Sequence, residues 1–150
     1  MTVTTDQLTD RYGTPDQATP IMAQPMTANT KVYAGTVAIT RSGYVVASDS
    51  PLSTDVVWGI VDKQTDNTTA TGFGGGGTGA VQCPIDRGAF WLNYTGAVTQ
   101  ANVGQVCYLS NATTVTLTQG SLPQAGYIQA IDTTISKVAV ALASNNGVLF

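Results

Sequence analysis

The sequence has 150 residues, of which 43% are hydrophobic and 10% charged, with a net charge of −3. That length suits one domain with its own core, and a charge content far below the ~25% of ordinary soluble domains leaves no basic footprint for nucleic acid. All nine acidic residues are Asp, histidine is absent, and 24 Thr with 16 Val point to an all-β chain with a surface of hydroxyls and amides.

Residues 1–30 differ from the rest. Pro15, Pro20 and Pro25 recur every five residues among Thr, Gln, Asp and Ala. Proline fixes φ and restricts the residue before it, so the stretch is expected to be extended and barred from the middle of a sheet. Its apolar side chains, chiefly Ile21, Met22 and Met26, are too few for a core. A disordered leader fits that composition. The clustering of those three between prolines favours an arm that orders when laid against a partner. The first ten residues are polar and acidic, without the basic start and apolar stretch of an export signal.

From Lys31 a β domain is expected, ending at residue 143. Residues 32–39 and 44–47 flank 40–43 as a hairpin. Residues 56–62 read as a buried strand and 62–67 as a solvated turn, lacking the glycine and terminal Glu of a calcium loop. Residues 72–79 hold a bare G-x-G-x-x-G, but a strand follows in place of a helix and no Lys completes a phosphate loop. A flexible loop is the better reading. Residues 79–85 and 88–93 follow as strands broken at 84–88. Residues 99–104 supply one turn of helix between a capping Thr and a closing Gly. Residues 106–109 and 113–118 form a second hairpin, and 126–131 pairs with 137–142. About nine short strands with turn signals every ~8–12 residues describe a compact β-sandwich or barrel-like domain. Residues 144–150 form a tail.

Catalytic chemistry is poorly served. Without His or Glu, the groups usually tuned near neutral pH are missing, and no Ser/His/Asp or Cys/His set can be assembled. Cys83 and Cys107 sit in apolar contexts as buried thiols, with no partner ligands for zinc. The Asn-x-Thr triplets at Asn67, Asn93 and Asn111 read as chance in a Thr-rich chain. No stretch of 18 apolar residues exists to span a membrane. The expectation is a non-enzymatic protein with no cofactor, no small-molecule substrate, no nucleic-acid partner and no membrane partner.

Interface material lies elsewhere. Strand alternation in 88–93 puts Phe90 and Leu92 on one face and Trp91 on the other. With Phe90 and Leu92 facing the core, Trp91 faces outward as a binding anchor. If both faces are covered, Trp91 is core.

Several short motifs occur in a telling order: Lys31-Val32-Tyr33-Ala34-Gly35-Thr36-Val37-Ala38, Gly43-Tyr44-Val45-Val46, Gly59-Ile60-Val61, Asp66-Asn67-Thr68, Gly79-Ala80-Val81, Arg87-Gly88-Ala89-Phe90, Thr99-Gln100-Ala101-Asn102-Val103-Gly104, Cys107-Tyr108-Leu109 and Ala125-Gly126. Over residues 17–143 the chain resembles the capsid cement (head decoration) proteins of tailed bacteriophages. The resemblance implies a β-tulip domain, a homotrimer at threefold positions of the capsid, and an N-terminal arm over the major capsid protein on the outer virion surface. Pro15, Pro20, Ile21, Met22, Pro25, Met26 and Trp91 are then the expected capsid or subunit interface. The chain departs from that family in its glycine-rich insert, its scarce charge and a Trp at position 91.

A cement protein needs contacts across subunits and no active site, and three copies acting together add weak arms through avidity. Scarce charge makes attachment insensitive to salt. The rival expectation is a β-sandwich module that binds surface glycans through Trp91 and Tyr94.

Overall fold

The computed structural model describes residues 2–12, 21–68 and 76–142. Pro15, Pro20, most of the glycine-rich loop and the tail therefore lie outside the described residues. Among the described residues twelve strands form two five-stranded units and one small ribbon, an all-β architecture.

The first unit orders β1 (Ile21–Pro25), β7 (Gln82–Asp86), β5 (Val56–Val61), β3 (Val37–Arg41) and β4 (Tyr44–Val46), each antiparallel to its neighbour. Its two edges nearly meet. Met26, just past β1, bridges Val45 of β4, and the Thr27 N–H donates to Val45 O at 3.0 Å. Inside the curl lie Met26, Ala38, Val45, Val61, Cys83 and Ile85. Alternation explains β7: Cys83 and Ile85 point into this core while Gln82 is exposed.

The second unit is a closed barrel, β10 (Thr114–Thr116), β8 (Ala89–Tyr94), β12 (Lys137–Leu142), β11 (Gln124–Asp132) and β9 (Val106–Asn111). Only the β8–β10 pair among these is parallel. Phe90, Leu92, Leu109, Val115, Ile128, Val138, Val140 and Leu142 form its core together with Val37, Ile39, Val57 and Ile60 of the first unit. Strand β3 thus serves both units. Val37 and Ile39 pack with the barrel and Ala38 with the other core, so the strand is apolar on both faces.

Local geometry corrects several expectations. Residues 32–39 do not form one strand: β2 (Thr30–Val32) ends before a turn in which Gly35 has φ +81°, and β3 begins after it. The 40–43 turn shrinks to Ser42-Gly43, both with positive φ, the primed turn whose twist matches its strands. Strand β7 continues through Pro84. The ring removes a donor only, and Pro84 O still accepts from the Asp62 N–H at 3.0 Å. The expected solvated turn at 62–67 is half strand: β6 (Thr65–Asn67) pairs with β2, and Asn67 is completely buried. The 99–104 segment holds a single 3-10 turn, Gln100–Asn102, as its sequence suggests.

The first named strand, β1, begins at Ile21, ten residues before Lys31, and is the outer strand of the first unit. Proline at the end of an outer strand is compatible with pairing on one side only, which is where Pro25 stands.

Cys83 and Cys107 are free thiols in the two separate cores. Burial pushes Cys83 up to about 11 and Cys107 up to about 12, from an ordinary value of 9.0. A thiol held protonated in the fold contributes stability that is complete below the unfolded value of 9.0 and drains as pH climbs toward the folded values. We expect both thiols to resist alkylation in the native state, and the urea midpoint to fall above pH ~9. A Cys83→Ala/Cys107→Ala variant isolates their share from that of tyrosine. An identical alkaline slope in that variant would refute the assignment.

Candidate interaction surface

Strand β8 has an unequal environment. It pairs with β12 along residues 89–93, but β10 covers only Asn93 and Tyr94 on its other side. The remaining edge would expose backbone groups to solvent. Residues 10–12 fill it. Arg11 bridges Phe90 in antiparallel sense, Trp91 N–H donates to Asp10 O at 2.9 Å and Tyr12 N–H donates to Ala89 O at 2.7 Å.

The rest of the segment 2–12 continues as a strap across the seam between the two units. Gln7 N–H donates to Ala34 O at 2.6 Å, and Ala34 N–H donates to Asp6 Oδ1 at 2.9 Å. The Thr9 hydroxyl donates to Gly35 O. At the far end Val3 is buried, and its N–H donates to Asp49 Oδ1 at 2.8 Å. Between these fixings Leu8 is 88% exposed.

Side chains add to the backbone bonds. The Arg11 guanidinium donates to Asp86 Oδ1 at 2.6 Å and to Arg87 O at 3.0 Å, and lies 4.6 Å from the Phe90 ring centre. Both charges of that pair are about a quarter exposed, so the ion pair itself contributes under ~1 kcal/mol. The Tyr12 ring rests on Trp91 with centroids 5.4 Å apart and a 37° tilt.

Two glycines shape the groove. A Cβ on Gly35 would stand 1.8 Å from Gln7 O, and one on Gly88 2.3 Å from Arg11 Nη1. Backbone cannot yield as a flexible guanidinium can, so Gly35 is the stricter requirement. Clefts of about 190 and 110 Å³ flank Gln7–Thr9, the first beside Asp62 and Asp86, the second beside Trp91, Asn93 and Lys137. Their size admits waters more readily than a ligand needing ~300 Å³ or more.

The residues singled out in the sequence are scattered over this architecture. Trp91 lies opposite Phe90 and Leu92 on β8, half-buried beneath the chain's own Tyr12. Met26 has no exposed surface and belongs to the core of the first unit. Met22 packs partly against that same core, and Pro25 is half-buried at the end of β1. Ile21 opens β1 opposite Asp86. Sequence reading gave Arg11 no role and named Gly35 and Gly88 only within the resemblance motifs; together the three define the groove.

Among the described residues no group of three or more Cys, Asp, Glu or His side chains is placed to hold a metal ion. Nor is any helix among them long and apolar enough to cross a membrane. No family model, curated protein or solved structure matches this chain. What the strap and groove can do chemically is bind extended backbone: they present paired N–H and C=O groups over a glycine floor.

Proposed function

We propose that this chain is a capsid decoration protein that binds the outside of a mature phage head as trimers and stabilises the shell. The observation that carries the reading is the strap. A β body with one closed barrel is joined to an extended segment that lies along it through both main-chain and side-chain bonds, a form suited to bridging neighbouring subunits. The motifs in which the chain resembles head decoration proteins include positions the fold depends on. Gly35 and Gly88 admit the strap, and a Cβ on Gly59 would stand 2.3 Å from Asp86 O. Scarce charge suits an interface that holds at high salt. The glycan reading loses ground, since Tyr94 packs against the barrel core while Trp91 is covered by Tyr12.

Co-sedimentation with expanded empty heads of the parent particle tests this. Deleting residues 1–28 would remove β1 and Met26 with the strap, so the informative truncation removes 2–12 alone. Saturable binding of the full chain that persists from ~0.1 to ~1 M salt is the expected result. Failure of the full chain to bind heads at any salt overturns the proposal.

A further inference from the structure

Ser48, just past β4, carries a buried hydroxyl that no protein group satisfies. The residue is 4% exposed, and its Oγ has no hydrogen-bond partner among the described residues. Buried hydroxyls are almost always bonded, because losing water without a replacement is costly. The same serine lines a cavity of about 20 Å³ where four stretches of chain meet. They are the strap at Val3, β2 with the turn after it, the segment after β4, and Ala112 between β9 and β10. That volume exceeds the ~10–15 Å³ one water needs and falls far below the ~300 Å³ of a small-molecule site.

The lining supplies what a water requires. Asp49 accepts the Val3 N–H on Oδ1, which leaves its second oxygen able to accept. The Thr36 hydroxyl donates to Tyr33 O at 2.7 Å and keeps its lone pairs. Together with Ser48 Oγ these groups fall within the roughly two to four partners of a buried water. An ion fits poorly. Asp49 brings a negative charge to the lining and Lys31 a positive one, so the charges offset each other. A calcium ion asks for roughly six to eight oxygens, and an anion would face the Asp49 carboxylate. We propose that this cavity binds one internal water, bonded to Ser48 Oγ and to Asp49 or Thr36, against the buried Val3 of the strap. The water then joins the strap's far anchor to the segment after β4, whatever the chain attaches to.

Magnetic relaxation dispersion of water oxygen nuclei counts waters that tumble with a protein, and it does not respond to hydroxyl protons. The full chain is compared with Ser48→Val, whose methyl groups fill the cavity and offer no hydrogen bond. Loss of one long-lived water in the variant is the expected result; an unchanged count overturns the proposal. A crystal structure of the unsubstituted chain keeps the test open if the variant does not fold. It should show a water about 2.7–3.0 Å from Ser48 Oγ and from an oxygen of Asp49 or Thr36. An empty cavity, or a Ser48 hydroxyl bonded directly to a protein group, overturns the proposal. So does a guest at the ~2.3–2.6 Å contact distances of a calcium ion.

Discussion

Replacing Asn67 with leucine is expected to lower the thermal unfolding midpoint by roughly 6–12 °C. Asn67 is fully buried at the end of β6, and its amide joins three pieces of chain. Nδ2 donates to Thr27 O at 2.8 Å and to Gly77 O at 2.9 Å, while Oδ1 accepts the Gly76 N–H at 2.8 Å. It therefore ties the return of the glycine-rich loop to the backbone just past Met26. Leucine fills a similar volume and satisfies none of the three groups. Each unsatisfied group costs about 1–3 kcal/mol, and water reaching some of them brings the sum to about 3 kcal/mol. Asn67→Asp keeps the acceptor but turns a second oxygen toward two carbonyls. It should be as damaging at neutral pH and recover partly on acidification, when the carboxyl regains a donor. Thermal melts of both variants decide the matter. A shift under ~2 °C for leucine would show that water replaces the amide.

The second large effect concerns the strap. Gly35→Ala should release residues 2–12 and let trypsin cut after Arg11 roughly tenfold faster, the factor produced by about 1.4 kcal/mol of lost docking. Gly43→Ala provides the comparison. Both glycines have strongly positive φ, +81° and +86°, so both variants carry similar backbone strain. Only at Gly35 does the added Cβ meet the strap; around Gly43 nothing lies within 4 Å. Equal cleavage of the two variants would mean that strain alone, and not the collision with Gln7, loosens the segment. Trp91 emission offers a second readout, since release of the strap removes Tyr12 from the indole.

These two sites mark the limit of what residue pattern conveys. A solvated turn was the natural expectation for 62–67, because Asp, Lys, Gln, Thr, Asp and Asn in succession are polar and lack alternation. Burial of Asn67 comes from partners ten and forty positions away, Gly77 and Thr27, which no local window contains. The same holds for Met26. Prolines and polar neighbours made its surroundings look like arm, yet Val45 of β4 and Val81, just before β7, close over it from distant parts of the chain. Segment 2–12 has almost no apolar pattern. It docks through backbone groups that every residue carries and through scattered polar side chains, Asp6, Thr9 and Arg11, whose partners lie far along the chain.

Other features were readable from short stretches. Abundant Val and Thr with turn residues at regular intervals are sufficient for an all-β fold, because β-branched side chains suit a pleated surface and Gly or Asn suits its turns. Period-two alternation placed Phe90 and Leu92 inside and Trp91 on the opposite face of β8. Apolar flanks placed both cysteines in cores. Which strands become neighbours, where the barrel closes, and what covers the open edge of β8 were settled only by tertiary packing. A strand's own residues dictate its two faces, but its edges are identical N–H and C=O groups, and only the assembled sheet determines what they meet.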